Sequence, residues 1–554
     1  MPARITYLII ALIAALLFLP FLGHVHLFDW DEINFAECAR EMIVSKDYLR
    51  MQIDFIPFYE KPPLFIWMEV LSMSALGINE YAARLPDALT GIATLLTLYY
   101  AGSRVRNRVT GLWWTVMYAA TWLPHIYFKS GIIDPVFNYF IFLAFFQVWL
   151  VKWGTRKTLH ALLAGLFLAL AVLTKGPVAI IVSGIALVVF AIAKRGLHGY
   201  KWHHFLLIAL VAAGTMSIWF GAEVVQHGWT FLREFIAYQA GLFGQNIAGH
   251  EEPWFYHPIV LLIGCFPASL FLFQWSRKQS GDEPQTRDFT RWMWMLFWVV
   301  LILFSIVKTK IIHYSSLCYY PVTYVAALQI AQILEGRRRL KRGVQIGLLA
   351  IGSIFALAIA ALPLVGLFKA QVIPYIRDQF AVLCLGADVH WHWAECLIGG
   401  IYLAGIWICV LMMRRHFRRG LIALCVLQVL AIQITAVHFT PKVEAYSQRA
   451  AIEFFQSFDG KDVYVHPLGY KSYAHLFYSR KQRSDNPAYY HTVHSEVGAS
   501  DIPEPNEQWL LYGKIDKPAF FIAKIEEGRL WRTSPALEEI GEKNGFVFFR
   551  RKKL

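Results

Sequence analysis

Runs of about 16–25 apolar residues, separated by short polar stretches, dominate the first 440 positions. Such runs suit helices that cross ~30 Å of hydrocarbon, and they lack the two-residue alternation of barrel strands. Thirteen windows qualify as spans: 5–23, 86–103, 109–127, 132–151, 159–174, 177–193, 205–221, 258–275, 292–307, 312–334, 343–367, 395–413 and 420–438. The first has Arg4 ahead of it and no small-x-small cleavage site behind it, so it reads as an uncleaved anchor. The pattern changes near residue 440. EAYSQRAAIEFFQS at 444–457 predicts an amphipathic helix, and KDVYVHP, PAFFIAK and GFVFFRRKK predict strands. SPALEEIGEKNG, with its serine start and glycine stop, predicts a last helix. The fold class is therefore an α-helical polytopic membrane protein of about 13 transmembrane helices with interfacial helices. It carries a small C-terminal extracytoplasmic α/β domain. The division is a membrane domain, 1–439, with external loops at 24–85 and 222–257, and an α/β domain, 440–554.

Composition supports the membrane reading. Hydrophobic residues make up 57% and charged residues 16%, against ~25% charged in soluble proteins. Mean hydropathy is +0.45. The net charge of +14 invites a nucleic-acid partner, but its distribution argues against one. Segments on one side of the spans hold 23 Lys and Arg in 57 positions. The opposite segments hold 12 in 135. The positive-inside rule makes the first set cytoplasmic. In a multi-pass protein of thirteen spans the N-terminus is then cytoplasmic and the C-terminal domain external, in periplasm or its equivalent. The seven cysteines form no CxxC pair. Only Cys384 and Cys396 share a loop in which a disulfide could form.

The unusual residues lie on the external side. DWDEINFAECAREM places Asp31 and Glu32 just before a helix whose Phe35, Ala39, Met42 and Ile43 recur at helical spacing. An amphipathic helix in the membrane interface is expected there. Acidic residues that merely stabilise its N-terminus are the bland alternative. Tyr59-Glu60-Lys61-Pro62-Pro63-Leu64 opens an apolar helix at 62–76 that is too short to span comfortably, so a re-entrant or interfacial one is expected. Glu60 and Lys61 would sit at its N-terminus, either taking an anion or pairing within the loop. Asp134 heads a span, Lys175 occupies a hairpin, and Lys308, Lys310 and Tyr314 open another span. Cations on a side depleted of them suit anionic lipid headgroups or a phosphate ligand, and for Lys310 the ligand is the preferred reading. In 222–257, Phe231, Phe235, Ile236 and Tyr238 suggest a second interfacial helix, ending near His250. A histidine beside carboxylates can bind a divalent metal or simply be solvated.

Together, DExxxAExAREM after the first span, EKPPL in the same loop, Asp134, KGP at 175–177 and KxxxY at 310–314 resemble the bacterial GT-C glycosyltransferases. The resemblance is to the lipid A aminoarabinose transferases and the protein O-mannosyltransferases. It runs from about 1 to 330, and more weakly through the span count and the C-terminal domain. Lys310-Ile311-Ile312 and the His313-Tyr314 pairing depart from the family pattern. The resemblance implies a polyprenyl-phosphate-linked sugar donor and inverting transfer to a lipid A, glycan or protein acceptor on the external face. It implies Asp31 as the catalytic carboxylate with Glu32 as its motif partner, and Asp134 as the second acidic position. Lys61 and Tyr314 match positions near the donor phosphate. Glu60 and His250 match positions that hold a divalent metal ion (Zn, Mg or Mn).

Elementary chemistry points the same way. A leaving phosphate needs a cationic clamp, which Lys61 and Lys310 would supply with Lys308 or a metal. A hydroxyl acceptor needs a base, for which Asp31 is the choice, with Asp134 orienting it. The competing class is a lipid or solute transporter, whose polar residues would sit near the bilayer midplane in paired repeats. Here they cluster at one face. The expected partners are donor, acceptor and membrane lipids, with no nucleic acid, and the expected state is a monomer.

Overall fold

A computed structural model describes residues 3–29, 31–244, 252–275, 282–494 and 501–552. The membrane domain is a helical bundle. Its helices are α1 (Ala3–Phe18), α2 (Asp31–Ser45), α3 (Leu64–Leu76), α4 (Glu80–Val105), α5 (Arg108–Ala119), α6 (Trp122–Tyr127), α7 (Ile133–Trp153), α8 (Lys157–Lys175), α9 (Val178–Ala193), α10 (Trp202–His227), α11 (Thr230–Gly244), α12 (Tyr256–Gly264), α13 (Pro284–Ile306), α14 (Tyr319–Leu334) and α15 (Arg342–Leu367). Helices Trp393–Arg415 and Phe417–Ile434 complete it.

Every one of the thirteen expected windows falls on helix, but length separates them. Eight helices among the described residues are long and apolar enough to span. A ninth is possible where α12 and Ala268–Gln274 meet at a 104° bend. The others fall short for visible reasons. The window at 109–127 is split between α5 and α6. The N-terminal half of α4 buries Arg84 and Asp87 among apolar neighbours. Close packing within the bundle depends on missing side chains. A Cβ on Gly102 would lie 2.7 Å from Gly111 Cα, so α4 and α5 meet backbone to backbone. Outward-facing Leu210, Ile218, Leu357 and Ile401 are exposed, as lipid-facing positions are.

The ends of the bundle carry different chemistry. At one end, Arg106 pairs with Glu335 (2.6 Å) and Asp282 (3.3 Å), and Lys152 and Lys194 both reach Asp288. These residues lie in or beside the basic loops that the charge count assigned to one side. Asp31, Lys61, Asp134 and Lys175 gather around a single cavity instead.

The first external loop differs from expectation. Helix α2 is enclosed by the protein rather than half exposed: Glu32 through Met42 are all buried. It packs against α3, against the short hairpin of β1 (Gln52–Ile53) and β2 (Ile56–Pro57), and against Ala474–Tyr478 of the C-terminal domain. Its polar positions find partners inside the protein. Arg40 takes Glu37 through two bonds of 2.7 and 2.6 Å, and Glu41 accepts the Phe55 N–H at 2.7 Å.

The C-terminal domain is built on a four-stranded mixed sheet, in the order β3 (Tyr464–Leu468), β6 (Ala519–Lys524), β8 (Phe546–Arg551), β7 (Leu537–Lys543). Strands β3 and β6 are parallel and the other pairs antiparallel. The three expected strands are present. The expected last helix is a strand, β7. Its hairpin turn is Asn544-Gly545, both residues with positive φ (47° and 82°), as a tight two-residue turn requires. That Asn-Gly signal outweighs the helix-like caps. The helix expected at 444–457 is interrupted, with Thr440–Ala445 and Arg449–Gln456 as separate pieces. A second hairpin, β4 (Tyr490–His494) and β5 (Asp501–Pro505), was not signalled by the sequence pattern. Cys384 and Cys396 are free thiols, and Cys384 is buried with its Sγ 3.3 Å from the Asn544 carbonyl oxygen.

His475 is buried beside Phe455 and His466. Burial holds its imidazole well below its usual pKa, so the folded domain favours the neutral ring. The unfolded chain binds a proton below ~6.5 and the folded one does not, so stability present above that pH is lost on acidification. Melting temperature is expected to fall between pH 7 and pH 5, and less steeply for His475→Gln. An identical acid loss in the variant would refute this.

Candidate active site

Local sequence explains how the first acidic pair is held. Glu32 lies one residue into α2, where its carboxylate accepts the Phe28 N–H at 2.8 Å. It also takes Arg84 of α4 through two bonds of 2.9 and 2.7 Å, and the Gly131 N–H at 2.7 Å. Burial alone would raise its pKa, but Arg84 and the two N–H groups outweigh burial and leave it below the ordinary range. Arg84 in turn donates to the carbonyls of Leu22, Val25 and His26. Glu32 thus faces into the protein and away from the cavity. It joins the helix carrying Asp31 to the turn that leads into Asp134.

The cavity holds about 370 Å³. Asp31 lines it with its side chain 41% exposed, and His313 Nε2 stands 3.7 Å from Asp31 Oδ2 and 4.0 Å from Asp134 Oδ2. Lys175, at the C-terminal end of α8, pairs with Asp134 Oδ1 at 2.6 Å. Its ammonium lies over the rings of Tyr314 (5.3 Å) and Phe137 (5.6 Å). Across the cavity, Glu60 accepts the Tyr238 hydroxyl at 2.9 Å and sits 3.8 Å from Lys61 Nζ. Burial and Glu60 raise the Tyr238 pKa, so its phenol remains a proton donor to that carboxylate. Val178, Val182, Phe304, Val307 and Leu317 form an apolar wall. One chamber therefore offers three carboxylates, three ammonium groups, one imidazole and a greasy flank.

Sequence reasoning and structure overlap in part. Asp31, Asp134, Glu60, Lys61, Lys175 and Tyr314 converge on the cavity. Lys308 and Lys310 do not line it: Lys308 is exposed and Lys310 is buried, with a long 3.5 Å bond from its Nζ to the Lys308 carbonyl. His250 lies outside the described residues. Among the described residues no group of three His, Cys, Asp or Glu is placed to hold a metal, and Glu60 is committed to Tyr238 and Lys61. Sequence reasoning missed Arg84, the partner of Glu32, and left His313, which faces both cavity aspartates, without a role. It also missed Asn34, Asn138, Gln239 and Lys471 in the lining. Lys471 belongs to the C-terminal domain, and nothing near it in the chain marks it.

Comparisons with known proteins fix the class. Residues 4–213 match the family model for dolichyl-phosphate-mannose-protein mannosyltransferase. An undecaprenyl phosphate-alpha-4-amino-4-deoxy-L-arabinose arabinosyl transferase of Pectobacterium carotovorum subsp. carotovorum (strain PC1) is 28% identical over 409 residues, covering 72% of this chain and 70% of that one. The protein of the same name from Erwinia tasmaniensis is 26% identical, covering 67% and 68%. The crystal structure of ArnT from Cupriavidus metallidurans bound to undecaprenyl phosphate superposes with a TM-score of 0.76 at 16% identity, over 99% of this chain and 98% of that one. The fold is that of a GT-C enzyme, and the chain is a membrane glycosyltransferase. Within that class it resembles the aminoarabinose transferases and the O-mannosyltransferases.

Proposed function

We propose that the protein moves a sugar, 4-amino-4-deoxyarabinose or a close analogue, from undecaprenyl phosphate to a lipid A-type acceptor, with inversion at the anomeric carbon. The observation that carries this reading is the cavity itself, where Asp31 and the Lys175–Asp134 pair adjoin a wall of Val178, Val182, Phe304 and Val307. A polyprenyl chain suits the wall, and its phosphate suits the ammonium groups. The sugar and the carrier are those of the similar transferases of Pectobacterium and Erwinia.

In this mechanism the donor phosphate sits against Lys175 and Lys61. The glycosidic C–O bond breaks, both electrons leave with the phosphate oxygen, and the lysines stabilise the charge that develops there. Phosphate leaves without a general acid. Asp31 stands on the side of attack. It accepts the proton of an acceptor hydroxyl, or, where a phosphate oxygen attacks, it stabilises positive charge growing on the sugar. His313 spaces Asp31 from Asp134, and Asp134 holds Lys175 in place.

The test is transfer by the full-length protein in lipid vesicles. The donors are undecaprenyl-phosphate aminoarabinose and undecaprenyl-phosphate hexoses, and lipid A is the acceptor. Mass spectrometry reads the products. A lipid A species heavier by one aminoarabinose is expected. A folded protein that makes no glycosylated product but moves labelled lipid across the bilayer would replace this reading with transport.

A further inference from the structure

A second cavity, of about 440 Å³, lies at the basic end of the bundle. Its wall includes Arg287, Arg291, Trp294 and Trp298 of α13, Val189 of α9, and Trp275. The same helix reaches the chamber of Asp31 through Phe304, about 25 Å further along its axis from Arg287 at 1.5 Å per residue.

The four α13 residues recur at intervals of four, three and four positions. At about 100° per residue they fall within roughly 60° of arc, so they form one stripe on the helix. The stripe is about 16 Å long, close to half of a ~30 Å hydrocarbon core, which is the depth of one leaflet. Guanidinium groups occupy its outer end and indoles its inner end. Trp275 closes the cavity from the side, edge-on to Trp294 with ring centroids 5.3 Å apart.

Both arginines are exposed, and neither has an ion-pair or side-chain hydrogen-bond partner among the described residues. The carboxylates beside them in the chain are engaged elsewhere. Asp288 takes Lys152 and Lys194, and Glu283 accepts Gln285 Nε2 at 2.7 Å. Membrane topology accounts for basic residues at this end. It does not account for two uncovered guanidinium groups that crown an aromatic stripe inside one cavity. Guanidinium takes phosphate oxygens through paired N–H donors, and indole rings pack well at the level between headgroup and acyl chain.

We propose that this cavity binds one anionic phospholipid of the leaflet at the basic end, with its phosphate on Arg287 and Arg291 and its acyl chains along Trp294 and Trp298. The site lies apart from the transfer chamber and does not depend on the transferase reading. A lipid seated there fills the gap between α9 and α13, beside the stacked pair Phe190 and Trp292.

The test uses full-length wild type, Arg287→Gln, Arg291→Gln, the double variant and Arg342→Gln, all stripped of lipid in detergent. Arg342, exposed at the start of α15 and outside the cavity wall, controls for the loss of one surface charge. Phosphatidylglycerol and phosphatidylcholine with the same acyl chains are offered, and native mass spectrometry gives the number bound and the dissociation constants. Wild type is expected to hold one phosphatidylglycerol about 25-fold more tightly than phosphatidylcholine, from ~fivefold per arginine near an anionic headgroup. Each single variant should lose about fivefold, the double variant the whole preference, and Arg342→Gln none of it. Stripped of lipid, all five proteins should melt together, and phosphatidylglycerol should then raise the wild-type melting temperature more than that of the double variant. A preference that survives in the double variant, or that falls equally in Arg342→Gln, overturns the proposal. Displacement of the lipid by glycerol phosphate also overturns it, in favour of a site for a soluble anion. A dimer that only the double variant loses overturns it in favour of a contact between copies of the chain.

Discussion

Asp31→Asn is expected to fold, reach the membrane and lose about a thousandfold in transfer rate, the scale of a missing general base. The side chain is 41% exposed within the cavity, and His313, its only ion-pair partner among the described residues, stands 3.7 Å away. Replacing carboxylate by amide therefore breaks no buried network, so the variant is expected to melt like wild type. The donor KM should stay near wild type, since the proposed phosphate clamp is Lys175 and Lys61. Melting in detergent and donor binding are measured beside the rate. A variant with wild-type kcat would remove Asp31 from the chemistry. A variant that is inactive and also melts early would reassign it to folding.

The second large effect falls on stability. Arg84→Met is expected to destabilise the protein by ~3–5 kcal/mol, the cost of stranding a buried charge. Glu32 is nearly inaccessible and spends both carboxylate oxygens on Arg84, while Arg84 also closes off the Leu22, Val25 and His26 carbonyls. Glu32→Gln in the same background should recover part of the loss, because the stranded charge is then gone. Activity is expected to fall along with stability, since Glu32 also holds the Gly131 N–H that positions the turn before Asp134. Thermal and denaturant unfolding of the two single variants and the double variant would settle it. A single Arg84→Met variant that melts like wild type would show that the pair contributes nothing.

How far the sequence foretold this arrangement depended on how local each signal was. Apolar runs mark the helices, because a span declares itself within some twenty residues. Asp31, Asp134 and Lys175 stand out for a similar reason, each being a charge at the end of an apolar segment. The full burial of helix α2 was not legible, because its spacing of Phe35, Ala39 and Met42 fits any half-buried helix. The cover over its polar face comes from Ala474–Tyr478, which no local pattern reveals. β7 was misread because Ser and Gly resemble helix caps, while the Asn544-Gly545 turn that decides the matter was counted only as a stop. The bonds that Glu32 makes were not legible because its partner, Arg84, is 52 residues away. Lys471 carried no signal whatever.

The bond from Ser472 to Asp29 joins residues 443 positions apart. A ribosome adding ~5–20 residues each second needs on the order of 20–90 s to travel between them. For that interval the helix bearing Asp31 exists without its partner, its buried polar face open and its chamber lacking a wall. The chamber that Asp31 lines is complete only once residues 471–473 have been made and seated on Asp29.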